Sequence, residues 1–155
     1  MTRPPRMFRF RALTTGAAVL MTAVVGVSCG GDGRRPVFPV RGQVLFENKP
    51  TPGALVIFHP VNDPDPRAPR PLARVAANGS FALTTYGNED GAPAGEYAVT
   101  VAWVKEVDNQ TAPVEERREP KNLVPERYGK PETSGLRVHI KEAANDLKPF
   151  QLTKQ

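Results

Sequence analysis

Side chains able to do chemistry are few and scattered in this 155-residue chain. There are two histidines, His59 and His139, 80 positions apart (139 − 59). A protein metal site draws its ligands into one small shell, and neither histidine has a His-x-His partner or a carboxylate at ligand spacing. His59 closes an apolar run just before Pro60, and His139 alternates with Arg137 and Lys141, as a solvated strand residue would. Asn62-Asp63-Pro64-Asp65 has the opening of a calcium loop but not its glycine or bidentate glutamate. The same holds for Asn88-Glu89-Asp90-Gly91, and turn chemistry accounts for both. Ser80, Ser134 and the threonines sit in no Gly-x-Ser-x-Gly elbow. The expectation is no catalytic residue, no metal and no cofactor.

Cys29, the only cysteine, excludes an internal disulfide, and its setting is informative. Residues 1–28 contain Arg3, Arg6, Arg9 and Arg11 and no acid. Met1 to Arg11 is a basic segment, Ala12 to Val27 is apolar and uncharged, and small residues lead into Cys29. That is the layout of a secretory signal peptide, too short in its apolar part for a comfortable membrane span. Gly26-Val27-Ser28-Cys29 resembles the lipobox of bacterial lipoproteins, with Gly26 where the family usually has leucine. The resemblance implies removal of residues 1–28, acylation of Cys29 and anchoring of the exported chain to a membrane facing the periplasm or cell surface. Several acyl chains hold stably where one is marginal.

The leader also explains the charge. The whole chain carries a formal +5, but without the four leader arginines 17 basic residues (21 − 4) face 16 acidic ones. A nearly neutral remainder gives no footprint for nucleic acid. Gly30 to Pro39, rich in Gly, Arg and Pro, reads as a flexible tether, so that 29–39 links the anchor to a domain over 40–155.

What must position any site in that domain is a set of short strands. Phe81, Leu83 and Thr85 alternate with Ala82, Thr84 and Tyr86; Tyr97, Val99, Val101 and Trp103 alternate with Ala98, Thr100 and Ala102. Asn78-Gly79 predicts a type I′ turn, in which both central residues need φ > 0. Val40 to Glu47, Leu72 to Ala77, Leu136 to Lys141 and Asn145 to Leu152 add further strands, and Ala54 to His59 reads as a strand covered on both faces. Pro60 to Pro71, with five prolines, is a loop.

Val107 to Gly135 is long and aperiodic, with four prolines and the charged run Glu115-Glu116-Arg117-Arg118-Glu119. Loops of this length are commonly functional or disordered. Leu123-Val124-Pro125 and Tyr128 are the points where it packs back, and Tyr128 is expected to be the most exposed aromatic. A binding loop is therefore placed here, with Tyr128, Arg117 and Arg118 as its contact residues. The core takes Tyr97 and Trp103. About seven short strands and no helix after the leader indicate an all-β, two-sheet Greek-key sandwich.

Several stretches resemble one family. They are Val40-x-Gly42-x-Val44, then Pro52-Gly53-Ala54-x-Val56-x-Phe58-x-Pro60, then Asn78-Gly79-x-Phe81-x-Leu83-Thr84-Thr85. Asp90-Gly91-Ala92-Pro93-Ala94-Gly95-Glu96-Tyr97-x-Val99, Leu123-Val124-Pro125-x-x-Tyr128, Ser134-Gly135-Leu136 and Asn145-x-Leu147 follow. Order and spacing are similar to the small bacterial lipoproteins with a transthyretin-like, carboxypeptidase-regulatory-like domain. The resemblance implies a prealbumin-like sandwich without an established catalytic role. The Tyr-Arg-Gly-Ser ending of the hydroxyisourate hydrolases is missing, and so is the paired-histidine iron set of the intradiol dioxygenases. Three readings stand. The first is a non-enzymatic binding or spacer module for envelope protein or glycan. The second is a hydrolase or metal-dependent enzyme on the same scaffold, and the third an accessory domain that stabilises a larger complex.

Overall fold

The computed structural model describes residues 33–104 and 121–154. Cys29, Arg117 and Arg118 lie outside the described residues, as does the leader. Nine strand segments form two sheets, and no α-helix occurs among the described residues.

The first sheet is built on β1 (Val40–Phe46). A two-residue hairpin returns β1 as β2 (Lys49–Pro50), pairing Phe46 with Lys49. Glu47 and Asn48 both have positive φ there, at 50° and 62°. The type I′ geometry expected at Asn78-Gly79 is thus found at Glu47-Asn48. At the later turn only Gly79 is left-handed, and its N–H donates back to Ala76 O at 2.9 Å. That is a three-residue turn ending in a left-handed glycine, which needs one positive φ rather than two.

β5 (Ser80–Ala82) pairs antiparallel with β1. On the other edge of β1 lie β8 (Asn145–Asp146) and β9 (Phe150–Leu152), both parallel to it. Val40 pairs with Asn145 and Val44 with Phe150, so the last strand carries one extra residue and bulges around Lys148-Pro149. Proline there costs no ladder bond.

The second sheet runs β4-β3-β6-β7, with β3 at Leu55–Pro60, β4 at Leu72–Arg74, β6 at Gly95–Ala102 and β7 at Arg137–Ile140. β3 reads half-buried rather than covered on both faces. Val56 and Phe58 are fully buried, while Leu55, Ile57 and His59 are intermediate.

The inward faces of the two sheets share one core. Phe58 of β3 meets Phe81 and Phe150 of the other sheet at 6.3 Å, and Phe81 stacks on Phe150 at 6.0 Å. Offset aromatic contacts of this kind add to simple area burial. Gly42 is what lets Phe81 in: a Cβ there would stand 2.6 Å from the ring. Trp103 is only partly buried, edge-on to Phe46, with its indole N–H donating to Pro52 O at 2.9 Å.

Two closures join the sheets at their sides. Leu72 and Thr84 exchange both backbone bonds, at 3.0 and 2.8 Å. On the opposite side the 3-10 turn Glu126–Gly129, which follows Pro125 within the stretch expected to be loop, puts Val124 and Tyr128 into the core.

Candidate functional site

Loops gather at two ends. The near end, where the chain enters, carries residues 61–71, 83–94 and 141–144. The far end carries the turns at 47–48 and 76–79 and the return through Lys121–Gly135.

At the near end Arg35 and Phe38, within the segment expected to be a flexible tether, are bonded to the domain. The Arg35 guanidinium clasps both carboxylate oxygens of Asp63, with Nη2 donating to Oδ1 at 2.9 Å, and lies 3.7 Å from Asp65. The hydrogen bond from Arg35 holds the Asp63 carboxyl down to about 2, and the same bond raises the guanidinium. The Arg35 N–H donates to Tyr86 Oη at 3.2 Å, and Arg34 stands 5.4 Å from the centre of that ring. Phe38 and Ala92 then exchange both backbone bonds. Gly91 makes the approach feasible: its φ is +97°, and a Cβ would sit 1.8 Å from Phe38 O. Gly33 lies in the same compact unit as the two sheets.

This clasp also answers the calcium-loop fragment. Asp63 and Asp65 accept the N–H groups of Asp65 and Arg67 in successive turns, and Arg35 takes up the Asp63 carboxylate. In Asn88-Glu89-Asp90-Gly91, partial burial works to raise the Asp90 carboxyl. The N–H groups of Thr85, Tyr86 and Gly87, at 2.7–2.9 Å, outweigh it and leave the group below its ordinary range. Among the described residues no three His, Cys, Asp or Glu side chains gather as a metal would require.

The histidines are separately committed. His59 Nε2 lies 2.9 Å from Thr100 Oγ1, and burial lowers the imidazole, with Arg70 adding to the effect. The pair brings a base to a hydroxyl, but Thr100 is buried and, among the described residues, no carboxylate is hydrogen-bonded to the ring to orient it. His139 pairs across strands with Glu96 at 2.9 Å, both well exposed, a contact of little energetic weight.

Tyr128 is not the exposed aromatic that the sequence suggests. Its side chain is 5% exposed, and Tyr86, at 37%, is the exposed aromatic instead. The phenol oxygen accepts from Arg127 Nη2 at 2.9 Å and from the Thr153 N–H at 3.0 Å, while the guanidinium lies 4.6 Å above the ring. Burial works to raise this phenol, and the bonds from Thr153 and Arg127 reverse it to a net lowering. A residue spent on holding the C-terminal strand is not presented to a ligand. Tyr97, buried and donating to Pro93 O at 2.9 Å, is pushed up to about 12 by burial.

A further concavity has neither histidine nor Tyr128 in its lining. It is an open groove of about 620 Å³ between β4 and β5, lined among others by Arg41, Leu72, Arg74, Thr84 and Glu89. Its lining mixes charged, polar and apolar groups. No period-two pattern predicts where two strands separate. β4 and β5, adjacent in sequence, belong to different sheets. Comparison of the chain with protein-family models, with curated proteins and with solved structures finds no match.

Proposed function

We propose that this chain is an exported lipoprotein, acylated at Cys29 after removal of residues 1–28. Its Greek-key, prealbumin-like sandwich is a non-enzymatic binding or spacer module for a cell-envelope protein or glycan. The observation that carries the reading is the junction of leader and domain. A basic, then apolar, then small-residue leader ends in the only cysteine, and just six residues later Arg35 is clasped to Asp63. Six extended residues reach about 20 Å at most. The near end is then held close to the bilayer, and the far end and the groove are left to meet other molecules. The chemistry of the described side chains supports binding over catalysis, because each histidine is bonded to a different neighbour on the sheet.

Labelling cells with a radioactive fatty acid tests this. The wild type should take up label and sediment with membranes. Cys29→Ser should lose the label and appear in the soluble fraction with the same thermal midpoint. Equal labelling of the two proteins defeats the proposal.

A further inference from the structure

We infer that the opening between β4 and β5 receives an acidic side chain of an extended peptide. This deepens the binding-module reading and rests on it. The two strands are the arms of one hairpin, and the hairpin is closed at both ends. Leu72 and Thr84 exchange backbone bonds at one end, and Ala76 N–H donates to Ser80 O at 2.8 Å at the other. In the same register Arg74 and Ala82 come next to each other between these pairs, yet no bridge joins them. The cause is topological. β4 belongs to the sheet of β3 and β5 to the sheet of β1, so the arms part where they turn the corner between layers.

Alternation then decides what faces the opening. Val75 exchanges bonds with the Gly53-Ala54 stretch and Pro71 accepts from Phe58, which turns the odd-numbered positions of β4 toward β3. Leu83 N–H donates to Val40 O and Gly79 O accepts from Val44, which turns the odd-numbered positions of β5 toward β1. The amide groups of Arg74 and Ala82 are left pointing into the gap, an N–H and a C=O from each side. Chain-edge groups of this type are what an added extended segment pairs with. A gap one pair long takes only a short stretch.

Charge selects the side chain. Arg41 and Arg74 flank the opening, both are exposed, and no carboxylate pairs with either among the described residues. Arg74 Nη1 is bonded to Gly53 O at 3.0 Å, leaving its other nitrogens for a ligand. Two guanidiniums over a groove favour a carboxylate, by short charge-assisted bonds. Glu89, at the Thr84 end, works against a second acid there. A sugar ring finds no stacking face, because the groove's only aromatic lining residue, Phe81, is 4% exposed and is stacked on Phe150.

The test is an amide-resolved NMR titration of the full-length protein in detergent micelles. The probes are the capped peptide acetyl-Val-Glu-Val-Ala-amide, its Gln counterpart, and a tetramer of N-acetylglucosamine. The Glu peptide should move the Arg74 and Ala82 amides saturably. The Gln peptide should bind at least about tenfold more weakly, and Arg41→Gln, at an unpaired surface position, should weaken the Glu peptide to a similar degree. Unmoved Arg74 and Ala82 amides overturn the inference. So do equal affinities for the Glu and Gln peptides, or the sugar acting in the peptide's place. Fatty-acid labelling of the same preparation separates the two failures: label without peptide binding removes this site alone, and peptide binding without label removes the anchor alone.

Discussion

The described domain is fastened at both of its ends by an arginine, and the two fastenings work on different principles. At the near end Arg35 meets the ionised carboxylate of Asp63, in a partly exposed clasp. At the other, Arg127 lies over the ring of Tyr128 and gives the phenol oxygen and Thr153 its hydrogen bonds, all neutral acceptors. The phenol itself is sunk in the core. The first is electrostatic and answers to pH and salt; the second is packing with polar trim and answers mainly to volume. An exposed ion pair holds a segment in place without adding much to the stability of the fold, whereas a buried aromatic does both.

The sharpest way to break this contrast is at Tyr128. Tyr128→Ala removes a buried aromatic and is expected to cost roughly 3–5 kcal/mol, read as a fall in the denaturant midpoint. A loss below about 1 kcal/mol would mean that the ring is not a core element. Next comes Gly91→Ala, which puts a methyl against Phe38 O at a left-handed φ. It should destabilise by about 1–3 kcal/mol and unseat Phe38 from Ala92, seen as faster amide exchange of both. Tyr128→Phe keeps the volume and removes only the acceptor for Arg127 and Thr153. About 1–2 kcal/mol is expected, with exchange protection lost at Thr153 alone. A cost equal to that of the alanine variant would contradict the division between packing and polar trim.

Asp63→Asn should have the smallest effect on melting and the clearest on the entering segment. Trypsin should cut after Arg34 several-fold faster while the thermal midpoint scarcely moves; unchanged cleavage would show that the clasp holds nothing. Its pH dependence has a fixed sign. The Asp63 carboxyl is depressed from 3.8 to about 2, so the clasp's contribution is present above the ordinary carboxylate range. It fades as pH falls through that range toward about 2. Carbon-detected NMR should give an Asp63 midpoint near 2 that returns toward 3.8 in Arg35→Gln.

Most strands were legible because alternation is a local property: Phe81 with Leu83, and Tyr97 with Val99, share a face in the sequence pattern and are buried together. What escaped was set by tertiary contact. The type I′ turn sits at Glu47-Asn48, where β1 and β2 must close on two residues, and not at the glycine-marked turn. Gly-, Arg- and Pro-rich composition suggested slack between Cys29 and Val40, but composition does not show that Asp63 and Tyr86 lie within reach of Arg35. Tyr128 looked exposed because its neighbours are prolines and charges, yet a 3-10 turn aims it inward. The groove depends on Arg74 and Ala82 failing to meet, an absence with no sequence signature.

β1, near the start of the domain, runs beside β9, within the last six residues. No leading portion of the molecule can therefore complete its first layer. A chain stopped short of Phe150 would keep one flank of β1 open along Val44–Phe46, an invitation to join a neighbouring copy. Assembly of this layer waits for β9 to arrive, so a stop codon just ahead of Phe150 does the damage of a much larger deletion.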